Sequence, residues 1–414
     1  MRHHLILTTL AVILTACSPL YRQLGGDYDP PGSIEDLSAD ARELLAAAAD
    51  GIDPERFLDA HVHMISDEID PRAQMLRHPI RHGRMRVLLA AAGVDPDADW
   101  EAEYMERLLA LIEASPLPGR HLLYALDRAY DREGNVDPNR TSLYVSNRRV
   151  MAWAENHPDV LVPAISIHPH RANALARLEY WAERGARFVK WLPNSQGMDP
   201  AEPALDDFYV AMARHDMTLL SHTGAERALP AAVQEYGNPL RLRRALDHGV
   251  RVIALHGAGD GTHVDLDDPG ERPVSGWALL LRLLETPEYD GLLYADTSAL
   301  TFRTHTPEPL LSVLARPDLQ RRFVHGSDYP LSGVRAAVSL RGLARAGFIE
   351  RGQIAALDEV RSWNPLAFDW VLKRTLRHPE TGARLAADVF TFDPFDWPSS
   401  GVSGILELYS PRGH

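Results

Sequence analysis

Eight short apolar runs recur along this 414-residue chain and restrict what it can fold into more than any other feature. They occupy residues 57–64 (FLDAHVHM), 121–127 (HLLYALD), 160–167 (VLVPAISI), 187–193 (RFVKWLP), 218–222 (TLLSH), 250–256 (VRVIALH), 291–296 (GLLYAD) and 323–328 (FVHGSD). Most are nearly continuously apolar, the pattern of strands buried on both faces of a parallel sheet. Helical patterns fill the gaps, for instance over 172–184, 206–215, 240–247 and 277–285. From the second run onward the strand starts fall 27 to 41 residues apart, which is the βα repeat. Eight such units predict an α/β fold closed into a (β/α)8 TIM barrel. The structural alternative is an open doubly wound sheet. No GxGxxG follows any run, so nothing favours nucleotide binding.

The first interval is longer, 64 residues, so 65–119 reads as a helical insertion after strand 1. Helices are expected over 74–92 and 100–114, on the side of a barrel where insertions cover the active site. A helical extension follows Gly347. Asn364 suits its N-cap, Pro365 its first turn, and Leu366, Trp370 and Val371 its apolar face. This helix is expected to pack under the barrel wall and to take no part in chemistry.

Hydrophobic residues make up 45% of the chain, too many for a disordered protein. Acidic residues outnumber basic ones, 57 to 43, and no basic run appears after residue 20. Nucleic acid is therefore not an expected partner, because phosphate binding needs a basic patch. The single cysteine, Cys17, excludes an intrachain disulfide and a cysteine-based zinc site. Arg2 and the apolar stretch 5–14, too short to span a bilayer, read as an export signal. Leu14-Thr15-Ala16-Cys17 resembles the lipobox of bacterial lipoproteins. That resemblance implies cleavage before Cys17, lipidation of Cys17 and a membrane anchor in the cell envelope. Ser18 implies the outer membrane, with the protein facing the periplasm. The expected organisation is a signal peptide over 1–16, a tether and short helix over 17–50, the barrel over 51–378 and a tail over 379–414.

Chemistry-bearing residues gather at strand ends. Asp59-Ala60-His61-Val62-His63 ends the first run, and residues i and i+2 of a strand share a face, so His61 and His63 project together. Lys190 lies in the fourth run, His222 ends the fifth, His256 the sixth and Asp328 the eighth. The C-terminal strand ends of a barrel converge on the mouth where barrel enzymes keep their chemistry. Isolated buried histidines, lysines and carboxylates without a shared purpose would be costly there. Asp296, ending the seventh run, is either a partner that orients an imidazole or a capping carboxylate. Trp191 reads as wall packing. His168 and His170 read as loop residues, and His263, Asp265, Asp267 and Asp268 as a solvated acidic loop.

The order HxH, His, His, Asp resembles the amidohydrolase superfamily. The strings LDAHVHM, VKWLPNSQGMD, SHTG, YADTSALT, VHGSDYPL and WNPLAFDWVLKR resemble its amidohydrolase-related branch over roughly residues 57–376. The resemblance implies that His61, His63, His222 and Asp328 hold a divalent metal. Zinc suits imidazole and carboxylate ligands, and one ion is expected. His256 is implied either to ligate a second metal or to orient water. Lys190 is implied either to bridge two metals as a carboxylated lysine or to contact substrate, and Arg303 and His305, after the seventh run, are candidate substrate contacts. The implied reaction is hydrolysis of an amide, lactone or ester. Asp328 takes a proton from water, and Asp328 or His256 passes one to the leaving group. A metal-dependent decarboxylase on the same barrel is the alternative. A non-catalytic envelope lipoprotein is the third reading.

Overall fold

The computed structural model describes residues 18–26, 28–66, 79–230 and 233–394. Cys17, the export signal and the chain end lie outside the described residues. Eight parallel strands form one sheet: β1 (Leu58–His63), β2 (Arg120–Tyr124), β3 (Leu161–Ile165), β4 (Phe188–Trp191), β5 (Thr218–His222), β6 (Arg251–Leu255), β9 (Leu293–Asp296) and β10 (Phe323–Val324). Helices fill the intervals, and the result is a (β/α)8 barrel. A short antiparallel hairpin, β7 (Thr262–Val264) with β8 (Pro273–Ser275), interrupts the loop after β6.

The barrel closes through the segment that follows β10. Ala60 N–H donates to His325 O (2.9 Å), Asp328 N–H to His61 O (2.9 Å), and His63 N–H to Tyr329 O (2.8 Å). Leu58, Ala60, Tyr124, Phe188, Leu220 and Ile253 belong to the cluster that fills the interior. A larger cluster lies between the sheet and its surrounding helices.

The parity of β1 changes partway along. Asp59 pairs with His121 and Val62 with Leu123, so β1 carries one residue more than β2 over this stretch. The bulge lets Leu58 and Ala60 fill the interior below while His61 and His63 face the mouth above. Val62 joins the outer cluster under the insertion instead.

That insertion forms helices Pro79–Ala92 and Trp100–Ala114, the second N-capped by Asp99, whose side chain accepts from Ala102 N–H. An earlier helix, Ser18–Gly25, lies against Pro79–Ala92. Helix Ala39–Ala49 buries Ala41, Leu45 and Ala48 and packs on the C-terminal helices Ile354–Trp363 and Pro365–Thr375. Asn364 caps the latter, accepting from Ala367 N–H. Phe390 packs on His325 with ring centres 4.9 Å apart. Segments on both sides of residues 51–378 thus contribute to the main core. No helix among the described residues is long and apolar enough to cross a membrane.

Two buried histidines away from the mouth make the fold acid-sensitive. Burial pulls both His121 and His168 down to about 3. An unfolded histidine titrates near 6.5, so between about pH 6.5 and 3 the unfolded chain binds protons that the folded chain refuses. Their contribution is complete above about pH 6.5 and is lost as pH falls toward 3. His121→Phe should therefore lose less stability than the parent between about pH 7 and about pH 4.5 in urea unfolding. Equal losses in the two proteins would remove His121 as a cause.

Candidate functional site

Three side chains from the closing seam meet at one point. His61 Nε2 lies 3.2 Å from His63 Nε2 and 3.3 Å from Asp328 Oδ1, and His63 Nε2 lies 3.0 Å from the same oxygen. Ligands about 2.0–2.1 Å from a tetrahedral zinc stand roughly 3.3 Å apart, so the triangle has the edge length of a coordination shell. Mutual hydrogen bonding cannot account for all three contacts among two imidazoles and a carboxylate that supply so few protons. His61, His256 and Asp328 also each offer a ligand atom within 4.8 Å of the others.

The surroundings fix the imidazoles. Asp296 is fully buried. Its Oδ1 accepts from His256 N–H (2.7 Å) and from the Ser298 hydroxyl (2.7 Å), while its Oδ2 lies 2.7 Å from His61 Nδ1. That places the His61 proton on Nδ1 and leaves the Nε2 lone pair facing the cluster. With the Ser298 hydrogen given to Asp296, His256 Nδ1 is the donor in its 2.9 Å contact with Ser298 Oγ, which frees Nε2 of His256 in the same way. Burial pushes Asp296 up to about 7, with hydrogen bonds from Ser298 and His256 opposing it. Asp296 takes both roles open to it in the sequence, orienting His61 through Oδ2 and capping the turn His256–Ala258 through Oδ1.

His222 stands beside His256, ring centres 4.7 Å apart, and neither of its nitrogens has a hydrogen-bond partner although the ring is buried. Glu226 Oε2 lies 3.6 Å from His222 Nδ1, while its Oε1 accepts from Ala228 and Leu229 N–H. Burial raises Glu226 to about 7. Lys190 Nζ is likewise buried without a hydrogen-bond partner, 5.0 Å from the centre of the Tyr124 ring. Burial lowers Lys190 to about 8, against the pull of Asp328, Asp296 and Glu226. Unpaired buried nitrogens are costly. A divalent cation facing His222 and an anionic group facing Lys190 would satisfy them, so the donor set fits a metal held by imidazole and carboxylate.

Backbone geometry is adapted to the same end. His256 (φ 63°) and Asp328 (φ 61°) adopt the left-handed region, at about 1–3 kcal/mol each. Gly326 permits the close approach of the seam. A Cβ there would sit 2.8 Å from His61 Cβ and 2.9 Å from Asp296 Oδ2. Asp59 faces away from the mouth and accepts from His61 N–H (3.1 Å) and Ser327 N–H (2.8 Å), tying both ligand-bearing strands together.

The residues expected at the mouth come together there, and the histidines read as loop residues stay apart from them. His63, Lys190, His222, His256, Asp328 and Arg303 all line one cavity of about 590 Å³, Arg303 at its exposed edge. His168, His170 and His263 do not line it. His168 is buried against Gln196 O (3.2 Å), His170 contacts Glu202 (3.0 Å), and His263 is buried near Glu235 (3.4 Å). The acidic loop is not loose, because Asp265 and Asp267 are clamped by Arg282 and Arg243. Trp191 is buried with its indole N–H on Ile167 O (2.8 Å), which is wall packing. Glu226 and Ser298 were not singled out in the sequence, since hydroxyls and carboxylates near strand ends are too common to be diagnostic.

A family model described as amidohydrolase matches residues 58–350, most of the barrel. The chain belongs to the amidohydrolase family. Among solved structures, the chain is similar to a TIM-barrel protein from Bordetella bronchiseptica, at 17% identity over 66% of this chain and 86% of that one (TM-score 0.45). It is similar to 2,6-dihydroxybenzoate decarboxylase from Rhizobium, at 13% identity over 76% and 97% (TM-score 0.40). It is also similar to 5-carboxyvanillate decarboxylase from Sphingomonas paucimobilis, at 11% identity over 75% and 96% (TM-score 0.44). A search of curated proteins found no match.

The C-terminal helix buries the expected apolar face and also carries a buried ion pair. Lys373 Nζ, buried, donates to Gly326 O (2.7 Å) and to Asp369 Oδ2 (2.5 Å). This pair holds the strand end two residues before Asp328. An Asp and a Lys four apart on a helix with an apolar face were the available signal. Lys373→Met leaves Asp369 uncompensated and should cost about 3–5 kcal/mol in urea unfolding, whereas Asp369→Leu with Lys373→Met should recover most of it. Equal losses in the single and double variants would contradict the pairing argument.

Proposed function

We propose that this member of the amidohydrolase family is a metal-dependent enzyme that breaks a bond at a carboxylate or carbonyl carbon of a small substrate. The observation that carries the reading is the convergence of His61, His63 and Asp328 at coordination-shell distances, with His222 and Lys190 buried and unpaired beside them. A bound divalent cation would supply Lewis-acid polarisation of a substrate oxygen and a lowered water pKa. Zinc is the proposed ion and one ion per chain the proposed count.

Lys190 moves the preference from hydrolysis toward decarboxylation. An unpartnered ammonium in an apolar pocket calls for a substrate anion, and a carboxylate supplies one. In this reading the bond from the substrate to its carboxylate carbon breaks and CO2 leaves. The bonding pair remains on the substrate and takes a proton, which Asp328, once protonated from water, is placed to deliver. Hydrolysis of an amide, lactone or ester is the second reading, favoured by the same Asp328. It takes a proton from water and passes the same proton to the leaving group. Non-catalytic use of the barrel is disfavoured by the retention of every expected ligand position. Attachment to the cell envelope through a lipidated Cys17 is part of the proposal, and the intact mass of the mature protein tests it.

Two substitutions test the roles of the residues. Asp328→Asn should retain the fold and lower turnover by about 10²–10⁴-fold under either reading, judged by circular dichroism and product formation. Near-parental turnover would exclude Asp328 as the proton carrier. Lys190→Met should raise KM for a carboxylated substrate more than it lowers kcat, and an unchanged KM would remove the carboxylate contact. For the metal-loaded full chain, trapped CO2 from carboxylated substrates supports decarboxylation. Uptake of oxygen from labelled water into products of amides, lactones or esters supports hydrolysis. A purified chain that neither retains a divalent metal nor gains thermal stability from one would sink the proposal as a whole.

A further inference from the structure

The cavity above the ligand cluster has its reactive groups at the floor and a mostly apolar wall, with Arg84, Arg227 and Arg303 exposed among the residues that line it. His63, Lys190, His222, His256 and Asp328 supply the chemistry there. Met64, Ile65, Leu88, Leu143, Leu229 and Val334 are among the residues that wall the space above them. Leu88, Leu143 and Leu229 are only partly buried, packing against the insertion core while also lining the cavity. The mouth is bounded by Tyr21 and Leu24 of helix Ser18–Gly25, together with the insertion helix. Two backbone bonds keep that first helix in place, Arg335 N–H to Gly25 O (2.9 Å) and Ala336 N–H to Leu24 O (3.0 Å).

From this division we infer that the substrate is a single-chain amphiphile, with its carboxylate or carbonyl head on the floor and an apolar tail along the wall toward Tyr21 and Leu24. The position of the head rests on the reading of the metal site; that of the tail rests on the wall alone. A sugar or a polar peptide would leave hydrogen-bonding groups unpaired against these aliphatic side chains, and such mismatches are strongly discriminated against. A tail loses nothing of the kind and gains from burial. The cavity volume lies within the range of sites that enclose a small ligand. The same chemistry could reach the mouth from a membrane or from free solution. Helix Ser18–Gly25 begins one residue after Cys17, so a lipidated chain would hold the mouth close to a lipid surface.

The test is titration calorimetry of the full chain, with and without added zinc, using butanoate, octanoate and dodecanoate below their aggregation limits. Affinity should rise with chain length by up to about fourfold per buried methylene, the fold-change that about 0.8 kcal/mol implies. Leu88→Glu and Ala336→Trp, one charging the wall and one narrowing the mouth, should weaken dodecanoate binding at least about tenfold while leaving metal content and butanoate binding unchanged. Affinity independent of chain length, or dodecanoate binding untouched by both substitutions, would overturn the inference. Chain-length dependence that persists without metal keeps the tail site even if the reaction reading fails. A titration with dodecanoate held in phosphatidylcholine vesicles separates the two sources. Preferential uptake from vesicles assigns the tail to the membrane, and equal uptake assigns it to solution. Either result presupposes the tail site.

Discussion

The seam between β1 and the segment after β10 is the constraint on which the molecule depends. Its backbone hydrogen bonds close the barrel, and the same few residues carry His61, His63 and Asp328. Closure and assembly of the site are therefore one event. Asp59 ties the two strands from outside the mouth, and Lys373 holds Gly326 O from below. A barrel that failed to close would separate ligands more than 260 residues apart in sequence, since His63 and Asp328 are 265 residues apart.

Precision at the site comes from groups that do not themselves face substrate. Asp296 and Ser298 set the protonated nitrogens of His61 and His256 before any ion or substrate arrives. Left-handed backbone at His256 and Asp328 has a free-energy cost that the surrounding core offsets. Together these features describe a preorganised floor, rigid because it is built on strand ends, beneath a wall contributed largely by insertion and loops.

Much of the architecture was legible from local pattern. The eight apolar runs marked all eight barrel strands, since a doubly buried parallel strand needs a continuous apolar stretch. Asn364 and Pro365 marked a helix start for equally local reasons. The hairpin after β6 was missed, because its strands are three residues each and lie in a polar stretch with no apolar run to mark them. The bulge in β1 was also hidden. His61 and His63 share a face by simple alternation, but the extra residue that turns them inward is visible only against β2.

By itself the sequence determined which residues could bind a cation and that they stood at strand ends, because strand periodicity and side-chain chemistry are properties of short segments. Only the tertiary structure decided which lone pairs face inward, that Asp296 both orients and caps, that Lys190 and His222 are left unpaired, and that Lys373 supports the floor. Each of these depends on contacts between segments far apart in the chain. Burial, which gives such contacts their energetic weight, does not exist until the chain has folded around them.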